Sequence, residues 1–415
     1  IPGDASPFLH SQLQNHEIIL YAMAILNSKI AAAVIDILSP TLNFEVGNIA
    51  EIPVVINNEI KCIVVPVVDS CIQIAHYDWD SYETSWDFQR NPLVNGKSLS
   101  AVYTAWKDEC EERFLQLKAN EEELNRIFID IYGLQDELTP EVADKDITVH
   151  RVYDRKEDVP ESMQGSKYIR TMRDEIVSLI SYAVGCMLGR YSLDVEGLAY
   201  AGGEWDESRY STFTPDRDNC IPITDEEYFE DDIVGLFCTW LKKAYGEETL
   251  EQNLDFIAAA LGNKGNTSRE VIRNYFLNDF IKDHMKTYQK RPIYWLFDSG
   301  KQNGFKALVY MHRWNADTIG NVRVEYLHRI QRVYEKEITR MQETIDSSHD
   351  NKEIANATKR KERLQKQLKE TKDYDALIAH LALSRIDIDL DDGVKVNYEK
   401  VQTADGRKMQ ILAKI

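Results

Sequence analysis

Basic and aromatic side chains alternate along residues 288–313, where their types suit contact with a nucleic acid. Two apolar-aromatic runs, residues 293–297 and 305–311, flank the polar stretch SGKQNG, a pattern that predicts a β-hairpin. Lysine and arginine contact phosphates, whereas glutamine and asparagine bond base edges. We therefore predict a DNA-binding hairpin whose contact residues are Lys290, Arg291, Tyr294, Trp295, Lys301, Gln302, Asn303, Lys306 and Arg313. The pattern fits equally well a hairpin whose rings pack a core and whose cations are solvated.

The charge of the chain is strongly negative but unevenly distributed. A formal net charge of −20 opposes nonspecific nucleic-acid binding, which depends on neutralising phosphates. Acidic residues crowd positions 206–251, whereas positions 286–340 hold 11 Lys and Arg against 5 Asp and Glu. Because screening at physiological salt acts over about 8 Å, a local basic face on this acidic chain can still bind DNA.

The motifs of a base-methylating catalytic site are not found. Such an enzyme needs an Asn/Asp-Pro-Pro-aromatic loop for the amino group and a glycine-rich loop for the methyl donor. Asn91-Pro92 is followed by Leu93, and Gly-x-Gly-x-x-Gly does not occur. We therefore predict no catalytic residue, no metal and no cofactor for this chain by itself.

Three other patterns invite a chemical interpretation, and each favours a structural one. Residues 262–268, GNKGNTS, lack the Gly-Lys-Ser/Thr ending of a phosphate loop and predict a helix connection. Residues 387–393 resemble a calcium loop, but their glycine comes one position late and Tyr398 stands where a glutamate is needed, so a hairpin is favoured. The acidic cluster 226–232 lacks a nuclease pattern and predicts a solvated helix start capped by Thr224.

The six cysteines form no C-x-x-C pair, which argues against a zinc site and fits a reducing cytoplasm.

Hydrophobic periodicity predicts an α+β fold that is predominantly helical, with short β-hairpins and a long antiparallel helical hairpin near the C-terminus. Predicted helices cover residues 15–38, 98–132, 169–191, 226–245, 249–261 and 269–288, and the helical hairpin, close to a coiled coil, covers 318–384. Strands are predicted within 54–68 and, around Asp392-Gly393, within 386–401. Residues 134–168 look like a linker. No run of 18 apolar residues occurs, so we expect no membrane span, and the first residues do not resemble a signal peptide.

These elements suggest five segments. We predict a junction region at 1–75, a helical spacer with an aromatic clamp at 76–150, a mixed α/β recognition domain at 151–315, the helical hairpin at 316–385 and a C-terminal β-hairpin at 386–415.

Several stretches resemble a known family. Residues 40–54, PTLNFEVGNIAEIPV, resemble the segment that closes the recognition region of large adenine methyltransferases and type I specificity subunits. The chain also resembles the C-terminal half of the PglX-type adenine-specific DNA methyltransferases of BREX phage-defence systems. The stretches that carry this resemblance are 80–93, 123–142, 180–194, 222–234, 290–313 and 390–402.

The resemblance implies a role in target recognition for N6-adenine methylation and phage exclusion. S-adenosylmethionine would bind to a catalytic domain that lies upstream in the family, so no catalytic residue is carried over. The implied partners are double-stranded DNA, the chain's own N-terminal methyltransferase domain and other BREX proteins, at the nucleoid in the cytoplasm. Residues 286–340 would supply the DNA contacts, and Asn43–Asn48 would lie near the catalytic junction. The alternative is a scaffold that docks the methyltransferase onto other defence proteins.

Overall fold

Helices dominate the computed structural model, which describes residues 15–38 and 46–415, and the predicted α+β class is confirmed. The contacts divide the chain into two units: residues up to 85 with 103–172, and residues 86–102 with 173–415. The division into five segments remains a prediction. The predictions for Pro40 and Asn43 lie outside the described residues.

The first unit begins with two short helices where one was predicted. Helix α1 (His16–Leu26) and helix α2 (Lys29–Leu38) meet at a bend of 66°. At the bend the Ser28 hydroxyl donates to the carbonyl of Ile25, which ends α1. A short helix α3 (Val46–Ala50) follows.

The prediction of strands within 54–68 is wrong, because helix α4 (Asn58–Asp80) begins in this stretch. The Asn57 side chain accepts a hydrogen bond from the amide of Glu59 and caps the helix. Val64 and Val68 lie one turn apart and are buried in the core shared with α1. These β-branched residues therefore lie on the buried face of a helix, and tertiary packing overrides their preference for strands.

The prediction of a linker at 134–168 is also wrong, because the few apolar residues of this stretch are packed in the core. Helix α5 (Leu99–Tyr132) forms as predicted, with Gly133 at positive φ just after it. Ile147, Val149 and Met163 are fully buried against its Phe114 and Leu117. Strands β1 (Arg151–Tyr153) and β2 (Ile169–Thr171) pair in parallel.

In the second unit, the predicted hairpin within 292–313 is confirmed. Strand β4 (Tyr294–Asp298) pairs antiparallel with β5 (Lys306–Tyr310), and β3 (Ile221–Pro222) pairs with the other edge of β5. Almost every residue of β4 and β5 is buried. The sheet is therefore a core element rather than a protruding ribbon.

Several helices belong to the second unit. They are α6 (Met172–Leu188), α7 (Ile233–Tyr245), α8 (Leu250–Leu261), α9 (Ser268–Asn278) and α10 (Phe280–Thr287). The helix start predicted at Thr224 is wrong: α7 begins after Asp232, whose carboxylate accepts from the amides of Val234 and Gly235. The helix predicted over 269–288 is split at Asp279, and residues 262–268 connect α8 to α9 as predicted.

The long helical hairpin is confirmed. A short helix α11 (Thr318–Asn321) and a π-helical turn (Val322–Leu327) lead into α12 (His328–Ser347), which packs against α13 (Asn351–Leu383). Asp350 caps α13 at the predicted polar break.

The C-terminal hairpin lies later than predicted. Residues 394–400 form helix α14 (Val394–Lys400), and Gly393 precedes it. Strands β6 (Thr403–Ala404) and β7 (Arg407–Lys408) instead flank Asp405 and Gly406, both at positive φ, which a tight hairpin turn requires.

One described helix is long and apolar enough to cross a membrane, α4, and α1 with α2 would pass the same test as one bent span. Core helices of soluble proteins share these properties, and length and composition do not distinguish the two cases.

Candidate nucleic-acid interface

The turn between β4 and β5 is held in place by helix α13. One carboxylate oxygen of Glu370 accepts from the Ser299 hydroxyl at 2.8 Å and the Gly304 amide at 3.0 Å. The other carboxylate oxygen accepts from the backbone N–H of Gln302 at 2.8 Å. The fully buried side-chain amide of Gln367 donates to the Asp225 carboxylate at 3.2 Å and makes longer contacts, of 3.4 and 3.5 Å, with the carbonyls of Gln302 and Asn303. The main chain of the turn is thus hydrogen-bonded to side chains of helix α13. The side chains of residues 301–303 therefore extend from a main chain that is held in place.

Local sequence makes this close approach possible. A Cβ on Gly304 would lie 2.8 Å from the Gln367 carbonyl oxygen, so only glycine fits against the helix backbone. Asn303 adopts a left-handed conformation at φ 52°, which asparagine tolerates better than most residues. Asp298 accepts from the Gly300 amide at 3.0 Å and fixes the start of the turn.

Two open pockets flank the turn and share Gln410. The first, of about 420 Å³, is lined by residues that include Gln302, Lys366 and Lys369. The second, of about 480 Å³, is lined by residues that include Lys301, Asn303 and Lys414. We call this surface the turn patch; it consists of Lys301, Gln302, Asn303, Lys366, Lys369, Gln410 and Lys414.

The lysines of the turn patch are available to a ligand. Lys301, Lys366, Lys369 and Lys414 are exposed, and no ion pair within residues 46–415 includes any of them. Three acidic residues lie near these lysines: Glu370 accepts hydrogen bonds from the turn, Asp298 Oδ2 lies 3.6 Å from Lys306 Nζ, and the exposed Asp373 lines the first pocket. Burial raises the pKa of Asp298, an effect that Lys306 partly offsets. The patch therefore offers donors and positive charge around a rigid loop.

The two aromatic candidates from the sequence are core residues. Tyr294 and Trp295 are completely buried in β4. The Trp295 indole donates to the Pro292 carbonyl at 2.9 Å, and its ring lies 5.3 Å from that of Trp314. In this conformation neither ring is available for stacking on a base.

Two of the cationic candidates have internal partners. Lys306 is 7% exposed and donates to the Leu277 carbonyl at 2.8 Å. Arg313 donates to the carbonyls of Leu188, Asp216 and Arg217. Both side chains therefore join segments of the second unit.

Lys290 and Arg291 are exposed but lie at the opposite end of β4 from the turn. A strand rises about 3.3 Å per residue, so its five residues separate these cations from the turn by about 16 Å. The structure thus brings together Lys301, Gln302 and Asn303 and separates them from Lys290 and Arg291. The cationic candidates of the hairpin therefore do not share one face, and DNA contact by any of the candidates remains a prediction.

The sequence-based prediction missed Lys366, Lys369, Gln410 and Lys414. A signal for the first two was present, since residues 351–372 contain eight Lys and Arg against three Asp and Glu. Nothing local distinguishes these two from Arg360 and Arg363, which pair with Asp225. Among the described residues no cluster of His, Cys, Asp and Glu is arranged to hold a metal ion.

Comparison with known proteins gives a consistent result. No protein-family model matches the chain. It is 42% identical over 398 residues to the adenine-specific methyltransferase PglX of Lacticaseibacillus casei (strain Zhang). It is 36% identical over 402 residues to the adenine-specific methyltransferase BrxX of Escherichia coli O9:H4 (strain HS). The chain is similar to adenine-specific methyltransferases.

The matches cover 94% and 93% of this chain but 31% and 33% of the two relatives, so the chain spans about a third of their length. The resemblance to PglX drawn from the sequence is thereby confirmed.

Proposed function

We propose that this chain is the DNA-recognition part, in the C-terminal half, of an S-adenosylmethionine-dependent N6-adenine DNA methyltransferase in a BREX-type phage-defence system. The names of the two relatives support the enzyme class. The chain has none of the sequence motifs of methyl transfer, so the methyl donor and the catalytic residues would belong to another part of the longer protein.

The turn patch carries the proposal for DNA binding. Lys301, Lys366 and Lys369 would contact phosphates, the groups that supply most of the affinity and its salt dependence. Gln302 and Asn303 would approach base edges, where an amide can make two hydrogen bonds to adenine. Because Glu370 and Gln367 already hold the turn, little backbone freedom would be lost on binding.

Binding to a fluorescent DNA duplex, measured by anisotropy, tests this function. The patch variant Lys301→Glu/Lys366→Glu/Lys369→Glu should weaken binding at least tenfold. The matched control Lys243→Glu/Lys264→Glu/Lys352→Glu changes the net charge equally at exposed lysines outside the patch and should lose far less affinity. Equal losses would show that only overall charge matters. No binding by the wild-type chain, alone or joined to the rest of the protein, would refute the proposal.

A scaffold is the second candidate function, and the first unit supplies the observation that favours it. Ile37, Ile56 and Ile63 are 82%, 58% and 57% exposed, and Val54 and Val55 are also exposed. Exposed apolar side chains mark protein contacts when they form one contiguous patch, and this candidate function requires that these residues do so. If these side chains dock other defence proteins, Ile37→Ser/Ile56→Ser/Ile63→Ser in the full-length protein should abolish its co-purification with those proteins. Unchanged co-purification would refute that role.

A further inference from the structure

A pocket in the second unit shares no residue with the turn patch and is lined by charges of both signs. It has a volume of about 410 Å³, and small-molecule sites usually measure about 300–1,000 Å³. The residues that line it include Trp205, Glu207, Arg217 and Arg313. The pocket is therefore large enough for a small organic ligand and combines an aromatic ring with donors and an acceptor.

The aromatic part of this pocket is held in place. The rings of Trp205 and Tyr210 stack with their centres 4.9 Å apart and their planes at 14°. The Tyr210 hydroxyl donates to the Gly189 carbonyl at 2.6 Å. The Arg313 guanidinium lies 4.5 Å from the centre of the Trp205 ring, yet Trp205 remains 36% exposed. A fixed, partly open indole can contact a ligand without first being ordered.

The guanidinium of Arg313 has N–H groups that its own fold does not use. Nη1 donates to the carbonyls of Leu188 and Asp216, and Nη2 donates to that of Arg217. A guanidinium has five N–H donors, so the Nε–H and one N–H of Nη2 have no acceptor in the described part of the chain. The donors of a guanidinium are coplanar, and two of them can bond two acceptors of a planar ligand.

Two exposed charges line the same pocket without pairing. Glu207 and Arg217 form no ion pair with each other or with any other residue that the structure describes. Asp216 also lines the pocket, but one of its oxygens accepts from the Cys220 amide at 2.9 Å, and burial and the Asp218 carboxyl raise its pKa. The groups that a ligand can use are therefore one carboxylate acceptor and two guanidinium donors.

We propose that this pocket binds a guanine base. Guanine has two acceptors, O6 and N7, on one edge, and these match the N–H groups of Arg313 and Arg217. Its N1–H and N2–H2 donors match the Glu207 carboxylate, and its ring would contact Trp205. Adenine fits less well, because its amino group is a donor at the place where guanine has the O6 acceptor. The site does not depend on the proposed DNA function, since a guanine can belong to a free nucleotide or to an unpaired position in DNA.

Isothermal titration calorimetry of the whole chain with guanosine monophosphate tests the site. We expect saturable binding that is at least tenfold tighter than that of adenosine monophosphate. Glu207→Ala and Arg217→Ala should each weaken it roughly tenfold, the loss expected for a hydrogen bond to a charged group, whereas the control Glu204→Ala should not. All three positions are exposed, so the fold should tolerate these changes. No binding by the wild type, equal affinities for the two nucleotides, or unchanged affinity in both pocket variants would overturn the proposal.

Inosine monophosphate, which lacks only the N2 amino group, tests the contact with Glu207. The wild type should prefer guanosine to inosine monophosphate, and Glu207→Ala should bind the two equally. A preference that Glu207→Ala retains would contradict the assigned contact.

Competition then distinguishes the two sources of the base. A single-stranded thymidine oligonucleotide with one central guanine should displace guanosine monophosphate if the site takes a base of DNA, whereas the same oligonucleotide with a central adenine should not. A bound nucleotide that neither oligonucleotide displaces supports a site for free guanine nucleotides.

Discussion

Replacing Glu370 tests whether the turn is held by the carboxylate. Glu370→Gln keeps the size of the side chain, but its amide nitrogen cannot accept a hydrogen bond. The remaining oxygen can still accept from the Ser299 hydroxyl and the Gly304 backbone amide. The backbone N–H of Gln302 then faces the NH2 group of the new side chain and loses its acceptor. A hydrogen bond to a charged group contributes about 1.5–3 kcal/mol, and water partly replaces it here because Glu370 is half-buried. We expect a loss of about 1–2 kcal/mol for Glu370→Gln and of roughly 2–4 kcal/mol for Glu370→Ala, which removes all three bonds.

Urea-induced unfolding, followed by tryptophan fluorescence, measures these losses. The matched control is Glu362→Gln, a solvent-exposed position on the same helix, which should change the free energy of unfolding by less than about 0.5 kcal/mol. Both Glu370 variants should also bind DNA more weakly, since the loosened turn must be ordered on binding. The reasoning is refuted if Glu370→Gln is as stable as the control.

Three other changes test separate parts of the structure. Gly304→Ala should cost roughly 1–3 kcal/mol in urea unfolding, because its Cβ would lie 2.8 Å from the Gln367 carbonyl oxygen; a neutral result would mean that the turn can move away from α13. Asp232→Asn should cost about 3–5 kcal/mol, because the buried carboxylate caps α7 and binds Arg273 through two hydrogen bonds; a loss below about 1 kcal/mol would contradict this. Burial, with Asp146 and Glu122, raises the pKa of Glu121 to about 7, so the protonated form is favoured in the folded protein. The stabilisation of the folded state by the protonated Glu121 is complete below the ordinary pKa of 4.5, and it is lost as the pH rises through 7. Glu121→Gln should therefore be more stable than the wild type by roughly 1–3 kcal/mol at pH 8 and equal to it near pH 4.5, and equal stability at both pH values would refute the shifted pKa.

Elements specified by local patterns could be predicted from the sequence. The hairpin of β4 and β5 follows from two apolar-aromatic runs around a glycine-containing turn, and the pair α12–α13 follows from spacing and a capped polar break. Helix α4 could not be predicted in this way, because its β-branched residues favour a strand until Val64 and Val68 are placed in a shared core.

The candidate site was only partly predictable, since the availability of a cation is a tertiary property. Lys301 and Lys306 look alike in sequence, yet one is exposed and the other donates to the Leu277 carbonyl inside the unit. Lys366 and Lys369 reach the turn only because α13 folds back against it across more than sixty residues of chain. No local pattern contains that information.

The salt dependence of DNA affinity tests the central claim most directly. Each phosphate contact adds about 0.9 to the slope of log affinity against log salt, so Lys301→Gln/Lys366→Gln/Lys369→Gln should lower the slope by up to about 2.7. The control Lys243→Gln/Lys264→Gln/Lys352→Gln should keep the wild-type slope. Equal slopes for the patch variant and the wild type would show that the turn patch does not contact the DNA backbone.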